Sequence, residues 1–121
     1  IKALVADDFL LYSGDDETGC DFMLQGGDGV ISVTSNVAPA QMAEMCELAL
    51  AGNSETAQII NQQLMPVHQK LFVESNPIPV KWACAELGII PSADCRLPLT
   101  ILAQPLHNVV RDALTQAKLI S

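Results

Sequence analysis

The stretch "FLLYSGDDETGCDFMLQGGDGVISVT", Phe9 to Thr34, decides the fold class. Its first six residues, Phe9–Gly14, are apolar and closed by turn residues, as a short buried strand is. "DDETGCDFMLQ" then takes helical spacing, with Phe22 and Met23 three and four residues beyond Gly19. Asp15, Asp16 and Glu17 crowd the start of that helix, where the helix dipole favours negative charge and a short acid can cap. "GGDG" (Gly26–Gly29) ends the helix, and "VISVT" (Val30–Thr34) reads as a second strand. Two almost continuously apolar strands joined by a helix predict a βαβ unit in a parallel sheet, covered on both faces, with a right-handed crossover.

Beyond Asn36 the pattern becomes helical throughout. "APAQMAEMCELALAGN" has Pro39 at its start and Gly52 as its stop. "SETAQIINQQLMPVHQKLFVE" offers Ser54 as N-cap, and Ala57, Ile60, Leu64, Val67 and Leu71 form an apolar stripe. Pro66 inside it predicts a kink or a division. "NPIPVKWACAELG" places two prolines ahead of a helix that stops at Gly88, with Asn76 expected to tie down the turn. The last helix is expected over "QPLHNVVRDALTQAKLI", with Pro105 in its first turn.

Composition narrows the function classes. The chain has 121 residues, 50% of them hydrophobic and 17% charged, with a formal charge of −8. That is one domain's length with an apolar excess that must be buried somewhere. No apolar run reaches the roughly 18 residues of a membrane span. Six scattered basic residues cannot neutralise a row of phosphates, so neither nucleic acid nor an anionic membrane is an expected partner. No secretory leader is legible. Cys20, Cys46, Cys84 and Cys95 are too far apart for a zinc site, and His68 and His107 do not supply the missing ligands. Three of the cysteines fall in helical patterns as small hydrophobes, which fits reduced thiols and a cytoplasmic location. Two strands alone make a poor sheet, with both edges open. With Ile1 opening what reads as a helix tail, the chain reads as the end of a larger α/β domain carrying a helical appendage.

"LLYSGDD", "GGDGVISVTSNVAP", "AQIINQQLMPVHQKLFVESNPIPVKWA", and "LGI" followed by "RLPLT" resemble the C-terminal part of bacterial dihydrodipicolinate synthase, of the N-acetylneuraminate lyase superfamily. The resemblance covers essentially the whole chain but only about two-fifths of a family member. It implies the last two strands of a (β/α)8 barrel over residues 1–52, Phe9–Gly14 being the seventh strand and Val30–Thr34 the eighth. A C-terminal helical domain would follow over residues 53–121. It implies part of a Schiff-base lyase that condenses pyruvate with aspartate semialdehyde in lysine and diaminopimelate biosynthesis. No cofactor and no metal are implied. The family's nucleophilic lysine should precede this chain, so the chain alone is expected to be inactive and to need the missing N-terminal barrel portion. No catalytic residue is assigned here. The resemblance assigns substrate-binding roles to Gly14, whose backbone would approach the Schiff-base lysine, and to Ile31, whose carbonyl would face the pyruvate pocket. Family members are commonly homotetramers, and the surface around Leu24 and Gln25 is a candidate contact. A non-catalytic helical module that self-associates through its exposed barrel face, or an aldolase acting on sugar acids, are the alternatives.

Each feature has a plainer reading. Asp15 and Asp16 suit capping and loop fixation better than an acid–base pair, because consecutive side chains leaving a strand diverge. "GGDG" follows a helix and precedes a strand, the reverse of a phosphate loop, so a helix stop and turn is the better reading. His68, His107, Phe72 and Trp82 read as packed or surface residues. Lys70, Lys81 and Lys118 lie in helical patterns, Lys2 in the opening tail, and Tyr12 within the first strand; none suits a desolvated amine or a proton relay.

Overall fold

The computed structural model describes residues 1–121. A single 3-10 turn at Lys2–Leu4 precedes β1 (Tyr12–Ser13), α1 (Asp16–Leu24) and β2 (Gly29–Val30). A 3-10 turn at Thr34–Asn36 leads into α2 (Pro39–Leu50), α3 (Ser54–Lys70) and α4 (Ile78–Glu86), and another at Gln104–Leu106 into α5 (His107–Gln116). The strands pair in parallel with Tyr12 opposite Gly29 and Ser13 opposite Val30.

The parallel βαβ unit is as expected, but the strands are two residues long rather than the five or six of Phe9–Gly14 and Val30–Thr34. Backbone hydrogen bonds from Asp28 to Leu11 and from Ile31 to Ser13, each 2.8 Å, extend the pairing by one step at either end. A longer ladder would need a strand on the outer edges, and none is present. One sheet face is covered by α1, and α2 also touches β2. Phe9, Leu10, Tyr12 and Ile31 are 54%, 58%, 53% and 70% exposed, so the expected cover on both faces is not found within the chain.

The helices pack around α3, which meets α1, α2 and α5. Met45, Leu64, Val67, Leu71, Val110 and Leu114 are fully buried in a single core cluster running from Cys20 to Ala117. The predicted stripe is there, with Ile60 only half-buried. Pro66 does not divide α3, which runs unbroken from Ser54 to Lys70. The N-cap is Asn53 rather than Ser54, and it makes no side-chain cap bond. The turn into α4 is likewise tied by backbone, Ile78 N–H to Ser75 at 2.9 Å, and not by the Asn76 side chain. α5 starts and stops inside the expected span, and Lys118 lies beyond it at φ 59°, outside the helix assigned to it. Trp82 on α4 stacks on His107 with ring centroids 4.8 Å apart, and the Arg111 guanidinium of α5 lies 5.3 Å from the Trp82 ring. Cys20, Cys46 and Cys84 pack in α1, α2 and α4, where burial pushes each thiol up, Asp21 adding to the effect at Cys20 and Asp16 at Cys46.

No helix is long and apolar enough to cross a membrane.

Candidate functional site

The two strands leave their sheet at the same edge, and their exits are joined there. After β1, Gly14 and Asp15 turn the chain into α1. Asp15 takes extended backbone angles as N-cap, and its Oδ2 accepts from the Thr18 amide at 3.0 Å. The Ser13 hydroxyl accepts from the Asp15 amide at 3.2 Å and fixes the same turn. Capping is therefore the role of Asp15, as its position predicts.

Asp16 does something else. It is 2% exposed, and its Oδ2 accepts from the Val33 amide at 2.8 Å and the Thr34 amide at 3.0 Å. The carboxylate thus crosses from the exit of β1 to the exit of β2. It satisfies two backbone donors that the turn at Thr34–Asn36 would otherwise leave unpaired. Of the expected capping and loop fixation, Asp15 supplies the cap and Asp16 fixes the neighbouring loop.

Thr34 extends the arrangement into the helical part. Its buried hydroxyl meets Nδ1 of His68 on α3 at 2.7 Å. His68 is 1% exposed. Burial drives its pKa down, and the negative charges of Asp16, Asp15 and Glu17 oppose that only in part. At neutral pH the ring is therefore neutral. Asp16 Oδ1, His68 Nε2 and Asn61 Oδ1 are buried without a protein partner. The sequence reads His68 as a packed or surface residue and Thr34 only as the end of a strand near the site, and it gives Asn61 no role. One signal was available: Asn61 and His68 lie three before and four after Leu64, on the buried side of α3. Two polar residues on an apolar stripe demand partners.

Gly14 and Ile31 sit at this same edge, on the exposed side. The Ile31 amide donates to the Ser13 carbonyl, next to Gly14, at 2.8 Å. A side-chain carbon built on Gly14 would meet nothing within 4 Å, and Ile31 projects into open space. The structure thus brings the two named residues together beside the Asp16–Thr34–His68 cluster. Ser32, Val33 and Asn36 face Asn76, Pro77, Lys81 and Cys84 across a groove of about 370 Å³. The Cys84 thiol donates to the Asn36 carbonyl at 3.7 Å, which closes α4 on the loop.

The opposite end of the strands is a clamp. Asp28 Oδ2 accepts from the Leu11 amide at 2.8 Å and pairs with Lys2 Nζ at 3.4 Å. The Leu11 N–H, with Lys2 behind it, holds the Asp28 carboxyl below the usual range. Lys2 also donates to the Gly26 carbonyl at 2.8 Å. Gly26 has φ 99°, and the Gly27 amide reaches back to Phe22, so the expected helix stop and turn is what "GGDG" makes. None of the four lysines is buried: Lys81 donates to the Asp94 carbonyl, and Lys70 and Lys118 are exposed. Lys81 alone lines the groove beside the exit of β2, and its ammonium is turned to the Asp94 carbonyl.

Residues 1–117 match the model of the dihydrodipicolinate synthetase family. The chain is 69% identical over 121 residues to the 4-hydroxy-tetrahydrodipicolinate synthase of Psychromonas ingrahamii, covering all of this chain and 41% of that protein. It is 57% identical over 120 residues to the Escherichia coli protein of the same name, again covering 41% of it. Among solved structures, the Acinetobacter baumannii dihydrodipicolinate synthase complexed with pyruvate superposes with a TM-score of 0.89 at 48% identity. That match takes in 93% of this chain and 38% of the other. The chain therefore spans about two-fifths of the length of the relatives it matches.

Proposed function

The chain belongs to the dihydrodipicolinate synthetase family, and we propose that it is the C-terminal part of a pyruvate-dependent lyase, forming wall and scaffold rather than nucleophile. On this reading residues 1–52 are the last two βα units of a (β/α)8 barrel and residues 53–121 its helical extension. The order of elements favours the C-terminal placement. An earlier stretch of a barrel would go on alternating strand and helix, whereas after β2 this chain is helical to its end.

The observation that carries the reading is the open sheet. A parallel pair with bare edges and with Phe9, Leu10, Tyr12 and Ile31 exposed wants more strands of the same sheet. A barrel closed by those strands would bury this face and pair both edges.

In a (β/α)8 enzyme the chemistry lies at the C-terminal ends of the strands. That edge carries Gly14 and Ile31. The whole enzyme would join pyruvate, held as a Schiff base on a lysine outside this chain, to aspartate semialdehyde, in lysine and diaminopimelate biosynthesis. Ile31 would present its carbonyl to the bound pyruvate, and Gly14 would let the backbone approach the lysine. Asp15 and Asp16 would shape the approach without exchanging protons with substrate. Gln25, exposed at the end of α1 beside half-buried Leu24, would contribute to a contact in a homo-oligomer.

The test is a chimera in which these 121 residues replace the matching stretch of the Psychromonas ingrahamii relative. The expected result is condensation of pyruvate with aspartate semialdehyde, and a borohydride-reduced pyruvate adduct on the relative's portion. An adduct on one of this chain's own lysines, or a folded chimera without activity, would overturn the reading.

A further inference from the structure

We propose that His68 is a positioning residue for the pyruvate-binding wall, acting through Thr34 on the loop that carries Ile31. The proposal rests on the functional reading above and goes beyond it, because His68 lies on α3, in the helical part, and touches no substrate-facing residue directly.

The chain of contacts is short. His68 Nδ1 and the Thr34 hydroxyl are 2.7 Å apart, and the Thr34 amide is held at 3.0 Å by Asp16. The Val33 amide is held by the same carboxylate oxygen at 2.8 Å. Two residues earlier, Ile31 is tied to the Ser13 carbonyl at 2.8 Å. Backbone on both sides of Ser32 is thus fixed by groups from β1 and α1, and the Thr34 side chain is fixed by His68 of α3. The serine closes the turn itself, its hydroxyl accepting from the Ser35 amide at 2.9 Å. Thr34 and His68 make the one side-chain-to-side-chain hydrogen bond between this loop and the helical part, beside the weaker thiol contact of Cys84 to the Asn36 carbonyl.

The cluster is badly suited to a purely stabilising task. Two of its buried atoms, Asp16 Oδ1 and His68 Nε2, have no protein partner, and each such group costs free energy. A valine and a leucine at Thr34 and His68 would fill similar space and remove the unpartnered His68 Nε2. What a directional bond supplies and apolar packing does not is one fixed geometry. Here it is supplied at the strand exits, next to Gly14 and Ile31, the edge at which a barrel enzyme works. Displacements of about 1 Å in such supports cost up to about a hundredfold in rate.

The test pairs isosteric and conservative variants. Thr34→Val and His68→Leu remove the bond, whereas Thr34→Ser keeps a hydroxyl and His68→Asn keeps a polar atom where Nδ1 stands. In the 121-residue chain, Thr34→Val should speed hydrogen exchange of the Val33 and Thr34 amides while leaving α5 amides unchanged. In the chimera, Thr34→Val and His68→Leu should raise the KM for pyruvate by about tenfold with kcat changed less, and the conservative pair should restore most of it. Unchanged KM in the bond-deleting variants would overturn the inference while the functional reading stands. So would His68→Asn behaving as His68→Leu does. An inactive unsubstituted chimera would remove the functional reading and this inference together.

Discussion

Asp16 and Thr34, eighteen residues apart in sequence, are joined by a carboxylate-to-amide hydrogen bond of 3.0 Å that ties the exit of one strand to the exit of the next. Its neighbour Asp15 carries the same charge and spends it on its own helix, accepting from Thr18. Identical chemistry thus has two consequences, separated by one residue of backbone. Asp15, the N-cap, accepts from an amide of the first turn of its own helix, while Asp16, one residue inside, crosses to the adjoining loop.

The two aspartates should therefore differ on substitution. Asp15→Ala loses an exposed cap and should cost about 1 kcal/mol. Asp16→Ala strands two backbone donors in a buried site and should cost about 2–4 kcal/mol. Urea unfolding of both variants measures the difference. Equal costs would mean that the bonds to Val33 and Thr34 add nothing beyond capping.

His68 sets an acid limit on stability. Burial lowers its pKa in the folded chain relative to the ordinary value of 6.5, so the unfolded chain takes up the proton first. The stabilising contribution is complete above about pH 6.5 and is lost as the pH falls from there through the lowered folded value. The limiting slope is about 1.4 kcal/mol per pH unit. Thermal melts between pH 7.5 and 5 should show the decline in the parent chain and a flatter profile in His68→Leu. Parallel profiles would assign the acid sensitivity to other groups.

Local grammar was readable from the sequence. The Asp15 cap, the Pro39 start, and the stops at Gly26, Gly52 and Gly88 all follow from chemistry confined to a few residues, and all are present. What failed was of longer range. Phe9–Gly14 and Val30–Thr34 have strand composition, but a ladder extends only where a neighbour supplies partners, and composition does not say whether the neighbour is there. Of the kink or division that Pro66 predicts, the division is absent: propensity is local, and Leu64 and Val67 are buried on either side within a continuous α3. The Asp16–Thr34–His68 cluster spans separations of 18 and 34 residues and has no motif spacing. Only the polar intrusions at Asn61 and His68 on an apolar stripe betrayed it. Gly14 and Ile31 were placed by family resemblance, since neither residue type advertises a site.

The bare sheet face should govern solution behaviour of the isolated chain. Phe9, Leu10 and Ile31 form part of an apolar surface that no element of the chain covers. The chain should bind a fluorescent apolar dye and elute larger than its 12.9 kDa on size-exclusion chromatography. A Phe9→Ser, Leu10→Ser double variant should shift it toward the monomer. A parent chain that elutes as a dye-silent monomer would remove the argument for missing strands.

Lys118 offers a stabilising substitution. Four helices end in the same wrap, in which the residue after the C-cap bonds back three positions and the next one bonds back five. The pairs are Gly26–Met23 with Gly27–Phe22, Gly52–Ala49 with Asn53–Leu48, Gly88–Ala85 with Ile89–Cys84, and Lys118–Thr115 with Leu119–Leu114. The motif needs a left-handed residue at its first position. Three helices place glycine there, at φ 99°, 79° and 71°, and α5 places Lys118 at φ 59°. A side chain in that region costs about 1–2 kcal/mol, of which the extra freedom of glycine in the unfolded chain returns part. Lys118→Gly should therefore raise unfolding stability by about 0.5–1 kcal/mol. The exposed ammonium makes no bond that would be lost with it. Lys118→Ala, which keeps the strained backbone and removes only the long side chain, is the control. If the alanine variant gains as much as the glycine variant, the backbone at Lys118 is not what limits α5.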